Sequence, residues 1–385
     1  MTTGKARTPE RERRRSLRID CDVRVLFIVL VLMGIGLSLV ASSSSFFAGD
    51  HFDDHFALMR RHAGRCVIAL VVLVLASRID YRIYRKASPV LLAAAGLLLV
   101  GLFATGREIR GATRTLGLPF VDAVLQPAEV ARLALVFFLA YWVTRRGAEI
   151  EDFKRGFVPA AVAVAAIVGL IAATPNYGSA AATFVTAVVV LFIGGARPLH
   201  LAGFVAAVVA VAAARIVQGG YALSRVLAFL DGGESSGAAN WQRDQSLIAL
   251  GSGGLFGVGP GESEQKLSWL PDAYTDFIYS VLGEEMGLVG TLAVSGLFLL
   301  LALRALKISR GCGDVFGEMV AAGVGVSIFV YAVLNTYVAA GMLPVTGLPL
   351  PFMSYGGSAM LVNALAMGVL LNVSRKRPGV RHAAA

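Results

Sequence analysis

The chain has 385 residues, of which 56% are apolar and only 16% charged, with a mean hydropathy of +0.71. Soluble domains are nearer to about 45–50% apolar and about 25% charged, so a soluble enzyme is excluded and a polytopic membrane protein is indicated. The formal net charge of +10 is therefore read as membrane topology before it is read as affinity for nucleic acid, and no nucleic-acid partner is expected.

Ten apolar runs follow one another, at 24–43, 63–79, 88–104, 128–144, 157–174, 179–195, 199–217, 276–306, 317–342 and 354–374. Each reaches the roughly 17–20 residues needed to cross a bilayer. The expected fold class is an all-α polytopic membrane protein with ten transmembrane helices. Residues 1–22 form a basic tail, 23–375 one membrane domain, and 376–385 a second tail. The first run follows a basic segment and ends in VASSSS, a pattern shared with signal peptides. Keeping it as a span makes the count even and the charges consistent. The tails and alternate loops hold 24 of the 35 lysines and arginines. The positive-inside rule makes that side cytoplasmic, with both termini inside. Cys21, Cys66 and Cys312 lack the spacing of a disulfide framework or a zinc site.

Taken in chain order, the polar features fall on a few segments. His51 and His55 in DHFDDH have an i, i+4 spacing that suits a metal, but they lie in a polar loop and no metal ligands are assigned. The loop at about 105–127 carries Arg107, Arg110 and Arg114, against the positive-inside trend. Guanidinium groups suit phosphate oxygens. In QPAEVAR (126–132), Glu129 and Arg132 lie i, i+3 on a helix, at contact distance. That pair reads as structural, with sharing of Arg132 with a substrate phosphate as the alternative.

One large loop, 218–275, separates the seventh and eighth runs. Its GSGGLFGVGPGE (251–262) has glycines for tight turns, but no Gly-Lys-Ser/Thr follows, so it is no P-loop. The stretch SLIALGSGGLFGVG is too apolar for a free linker and is expected to lie against the membrane surface. PDAYTDFIYSVLGEEMG (271–287) then puts Asp276 at the start of the eighth run and Glu284 and Glu285 deeper. Helical rotation sets Glu284 loosely on the Asp276 side, about 12 Å further in. The last loop, LPVTGLPLPFMSYGGS (343–358), has too many prolines and glycines for a helix. It is expected to enter the span region as irregular backbone, which is tolerated there only where protein or a cavity lines it.

GSGGLFGVGPGESEQKLSWLPDAYTDFIYSVLGEEMGLVG and LPVTGLPLPFMSYGGSAML, with RGATR followed by QPAE, resemble the SEDS family (shape, elongation, division and sporulation: FtsW, RodA and SpoVE). The FtsW branch is the more similar. The resemblance implies a peptidoglycan glycosyltransferase in cell division or cell-shape maintenance, facing outward from the bacterial inner membrane. It would polymerise lipid II and release undecaprenyl pyrophosphate. It also implies a class B penicillin-binding protein, the transpeptidase, as partner, alongside other divisome or elongasome membrane proteins. The family's essential aspartate corresponds to Asp276, the expected general base. Arg110, Arg114, Lys266, Glu129, Arg132 and Ser354 are the expected substrate-binding residues. No organic cofactor is expected, and Mg2+ or Mn2+ is a candidate cation.

Several positions depart from the family pattern: Thr115 for tryptophan, Asn176 for aspartate, Tyr274 for histidine, Thr346 for lysine and Arg132 for lysine. These departures keep two rival readings open. One is a non-catalytic scaffold that activates a transpeptidase. The other is a flippase or transporter of lipid-linked precursors, against which stands the lack of an internal repeat with matching broken spans.

Overall fold

The computed structural model describes residues 21–105, 107–109, 112–117, 124–218, 238–267 and 269–375, with Leu223, Val226 and Phe229 as single residues of the segment between 218 and 238. Among these residues, the helices are α1 Val23–Phe52, α2 Ala57–Arg78, α3 Arg82–Thr105, α4 Pro127–Arg146, α5 Val158–Ala173, α6 Tyr177–Ile193, α7 Pro198–Val217, α8 Ala238–Ser252, α9 Ile278–Arg310, α10 Val315–Ala339 and α11 Gly357–Val373. A small antiparallel sheet joins α3 to α4: β1 Arg107–Ile109, β2 Ala112–Gly117 and β3 Val124–Leu125. It pairs Arg107 with Thr115 and Leu116 with Leu125.

All of these helices except α8 coincide with the ten apolar runs. Seven helical segments are long and apolar enough to cross a membrane by length and composition among the described residues. Helices α6 and α11 are shorter, and α2 carries Arg60, Arg61 and Arg65 near its start. Together these helices make the chain a multi-pass membrane protein. Helix starts follow their capping residues: the Asp22 carboxylate accepts from Arg24 N and Val25 N at α1, and Asp314 caps α10 by accepting from Gly317 N. Asp22 also accepts from Arg304 of α9 and donates its own N–H to Ser374 Oγ (3.0 Å), which ties α1, α9 and the end of α11 together.

Helices α4, α10 and α11 form the core and are buried along most of their length. Helix α7 lies outermost, with Leu201 its one buried residue. Helices of small and apolar residues pack closely here because Gly323 of α10 faces Val136 of α4, and Gly368 of α11 lies on the Leu73 backbone of α2.

Two features differ from the expected layout. First, the large loop contains α8, which packs into the bundle. Its buried face is Gln245, Ser246 and Ala249. Ser246 Oγ donates to the Ala339 carbonyl (2.7 Å) and meets Ser280 Oγ at 2.6 Å, fixing α8 to α10 and α9. Second, α9 is broken at Gly287 (φ 66°, ψ −165°). The glycine-rich segment beyond α8 fills the break. Val258 N and Gly259 N donate to the carbonyls of Glu284 and Glu285 (2.9 and 3.1 Å), while Leu288 N and Val289 N donate to Gly254 and Leu255 (3.0 and 3.1 Å). A methyl carbon on Gly257 (φ 84°) would come within 2.1 Å of Glu285 O, and one on Gly253 within 1.9 Å of Gly283 O.

This crossing predicts that Gly257→Ala lowers stability by roughly 2 kcal/mol or more, from backbone strain plus overpacking. Gly251→Ala, with open space around it, leaves stability unchanged or slightly raised. Thermal melts of both variants in lipid nanodiscs test this; equal midpoints would refute it.

Candidate functional site

Asp276 does not begin a helix. It lies in the turn 271–277, two residues ahead of α9. Asp272 adopts a left-handed conformation (φ 60°) after Pro271, and its carbonyl collects the N–H groups of Thr275, Asp276 and Phe277 at 3.0, 3.1 and 3.3 Å. The helical-wheel relation to Glu284 therefore fails, because the wheel starts after Asp276. The turn is anchored by Phe277, which is fully buried, while Asp276 is half-buried. A carboxylate beside a helix N-terminus is favoured by the partial positive charge there.

The ninth loop holds this turn from the other side. Asn335 of α10 donates both to Asp276 O (2.8 Å) and to Leu348 O (2.7 Å). Tyr355 N donates to Tyr274 O (2.9 Å). The loop itself is irregular backbone packed into the bundle. A methyl carbon on Gly36, midway along α1, would strike Met353 Cα at 2.5 Å, and one on Gly178 of α6 would strike Thr346 at 2.7 Å. Rings line the same place. Tyr274 packs against Phe47 of α1 and Tyr355 (both 5.7 Å), Tyr355 lies 5.7 Å from His62 of α2, and Arg65 of α2 stacks 4.4 Å over Tyr355.

The other predicted residues separate into groups. Glu284 is buried and accepts from Glu264 N (2.9 Å), Gln265 N (3.4 Å) and Ser263 Oγ. Glu285 is also buried, accepts from Ser42 of α1 and pairs with Lys266 Nζ at 3.7 Å. Lys266 further donates to Ser42 Oγ (2.9 Å) and to the Gly261 carbonyl. Its ammonium is thus engaged in holding the loop. Ser354 Oγ accepts from Leu350 N (2.8 Å) and closes the turn within the ninth loop.

Glu129 and Arg132 do form a fully buried pair (2.8 Å). Arg132 also donates to Ser327 of α10 (2.6 Å) and Asn363 of α11 (2.7 Å), and stacks 4.2 Å from the centre of the Tyr331 ring. Ser327, Tyr331 and Asn335 recur every four residues on α10, so one polar stripe runs from the Arg132 pair to the Asp276 turn. Arg114 falls within β2, and Arg110 lies outside the described residues. The sequence reading missed Asn335 and Arg65. For Arg65 the signal was MRRHAGR, a basic group on the side of the membrane the charge count makes external.

Fold and site together define a multi-pass membrane protein with a polar site at one end of its helical bundle. The chain belongs to the FtsW/RodA/SpoVE family, whose model, described as cell cycle protein, matches residues 23–378. It is 36% identical over 338 residues to a probable peptidoglycan glycosyltransferase FtsW of Trichlorobacter lovleyi, covering 87% of this chain and 88% of the relative. It is 35% identical over 349 residues to stage V sporulation protein E of Bacillus subtilis (88% and 92%). Among solved structures, it is similar to the rod shape determining protein RodA of Thermus thermophilus (TM-score 0.66, 26% identity, 93% and 98% covered). It is also similar to a chain of the structure described as "Structural coordination of polymerization and crosslinking by a peptidoglycan synthase complex" (TM-score 0.76, 26% identity, 92% and 98% covered).

The cage around Arg132 predicts that Arg132→Met, which strands Glu129, costs about 3–5 kcal/mol. Glu129→Gln combined with Arg132→Met recovers much of that loss. Melting midpoints in nanodiscs check both, and a double variant no better than the single would overturn the pairing argument.

Proposed function

We propose that this protein is a peptidoglycan glycosyltransferase that polymerises lipid II into β-1,4 glycan strands during cell division or cell-shape maintenance. The observation that carries this reading is Asp276, a half-buried carboxylate whose backbone is clamped by Asn335 and the turn at Asp272. The relatives named as FtsW support it.

Asp276 acts as general base. It takes the proton of the acceptor 4-hydroxyl as that oxygen attacks C1 of the donor sugar. The O4–C1 bond forms while the bond from C1 to the pyrophosphate oxygen breaks, and the configuration at C1 inverts. Undecaprenyl pyrophosphate leaves as a stabilised anion, so no general acid is required. Arg110 and Arg114 neutralise the developing charge. Lys266, Ser354, Glu129 and Arg132 each hydrogen-bond to other elements or loop backbone within the protein, and we assign them to holding the frame. Among the described residues no three His, Cys, Asp or Glu side chains converge to hold a metal ion. A Mg2+ or Mn2+ would be held chiefly by the substrate phosphates, as is usual for Mg2+.

In this reading the ten apolar helices all cross the bacterial inner membrane, both termini are cytoplasmic, and the Asp276 end faces outward. The charge bias supports this orientation. A class B penicillin-binding protein is the partner that crosslinks the strands.

Labelled lipid II supplied to the purified protein with its cognate transpeptidase, in Mg2+ or Mn2+, tests the reading. Wild type forms glycan polymer, and Asp276→Ala lowers the rate at least about a hundredfold, the lower end for loss of a general base. Equal polymer from both would remove Asp276 from the chemistry. No polymer from wild type would favour a scaffold.

A further inference from the structure

Three observations meet around Tyr355, whose N–H is bonded to the Asp276 turn at Tyr274 O. The first is Arg65. Its guanidinium stacks on Tyr355, is half-buried, and makes no ion pair or hydrogen bond among the described residues, so its planar fork of donors is unspent. The second is the start of α11. Gly356 is its N-cap and supplies no side chain to the first-turn N–H groups. A methyl carbon on Gly357 would lie 3.5 Å from Arg65 Nε, so the guanidinium lies beside the first residue of this helix. The third is His62, i, i+3 from Arg65 on α2. It is fully buried, neither ring nitrogen has a partner, and its ring faces Tyr355 at 5.7 Å.

We propose that Arg65 and the N-terminus of α11 form a phosphate-binding site beside Asp276, occupied by the pyrophosphate of the lipid-linked donor. The proposal rests on the glycosyltransferase reading above for the identity of that donor. A helix N-terminus presents N–H groups and partial positive charge to an anion, and the Gly-Gly sequence lets phosphate oxygens approach the backbone. Arginine adds two parallel, charge-assisted hydrogen bonds. Tyr355 fixes the plane of the fork from below, so little side-chain freedom is lost on binding. Its N–H bond to Tyr274 O ties the site to the turn that carries Asp276, two residues on. An anion held here sits within reach of a sugar carbon attacked next to Asp276. The same chemistry could serve the headgroup of a bulk anionic phospholipid, and the test separates the two.

The test is direct binding of a short-chain prenyl pyrophosphate to the full-length protein in nanodiscs. It is run in zwitterionic lipid and again with phosphatidylglycerol, for wild type, Arg65→Met and Arg65→Lys. Wild type is expected to bind the prenyl pyrophosphate in both membranes. Arg65→Met is expected to weaken it roughly ten- to a hundredfold, the range for a charge-assisted pair. Arg65→Lys keeps the charge but loses the fork, so its loss is smaller, about three- to tenfold. Affinity of Arg65→Met within twofold of wild type overturns the proposal. So does a loss that appears only with phosphatidylglycerol present, which assigns Arg65 to bulk lipid. If Arg65→Met does not fold, as judged by its melt, Arg65→Lys is decisive, and unchanged affinity overturns the proposal. Binding needs no turnover. Arg65-dependent binding without polymer from wild type leaves this site standing and removes the glycosyltransferase reading. Polymer without Arg65 dependence does the reverse.

Discussion

Backbone polar groups buried in an apolar bundle have to find partners inside the protein, because hydrocarbon offers none and each unsatisfied group costs several kcal/mol. An unbroken helix meets this constraint by itself. Helical pairing is broken at Gly287 of α9 and along 343–356, and both breaks are repaired by other segments. At Gly287 the carbonyls of Glu284 and Glu285 and the N–H groups of Leu288 and Val289 are taken up by residues 254–259. The repair requires two backbones to touch, and this is why glycine occupies positions 253, 257 and 287. A side chain at any of them would collide with the other strand. Once the crossing is made, residues 258–277 have little freedom, and the Asp276 turn inherits its position from it.

The intramembrane charges follow the same logic. Glu284 gathers two backbone N–H groups and Ser263, and Glu285 holds Ser42 and Lys266. Both carboxylates thus act as buried acceptors that fasten the loop to α9 and α1. Arg132 donates through its two terminal nitrogens to Glu129, Ser327 and Asn363. A buried pair of this sort adds little stability over apolar packing but penalises any arrangement that leaves one partner alone. It therefore fixes the register of α4 against α10 and α11. Through the stripe of Ser327, Tyr331 and Asn335, that register reaches the carbonyl of Asp276. Asp276 is half-buried in its turn, and the deeper charges hold that turn in place.

How much of this was legible in the sequence depends on the interaction involved. The ten apolar helices were legible because twenty-residue apolar runs have few alternatives. The buried irregular loop at 343–356 was legible because proline and glycine cannot continue a helix. Helix α8 was not, because Trp241, Arg243 and Asp244 interrupt its apolar pattern and its buried contacts are partly polar. The placement of Asp276 ahead of α9 turned on the left-handed Asp272 after Pro271, a local signal that the apolar run 276–306 outweighed. The pairing of Lys266 with Glu285 could not be read at all, since an irregular segment and the first two turns of α9 separate them. Arg65 was visible as a basic residue, but its value comes from Tyr355, almost three hundred residues away.

Three of the five departures from the family pattern, at 176, 274 and 346, take part in local structure near the ninth loop. Asn176 caps α6 by accepting from Ser179 N. Thr346 packs on Gly178 at the same helix start. Tyr274 fills the space between Phe47 and Tyr355 and meets Tyr355 edge-on, and Tyr355 in turn carries Arg65. Here the replacement at 274 is matched by its ring neighbours, and the stack ends on a cation with open donors. These contacts join Phe47 of α1, Arg65 of α2, Tyr355 of the ninth loop and Tyr274 of the Asp276 turn into one cluster, so a change of side chain at 274 acts on the packing of the same turn that carries Asp276.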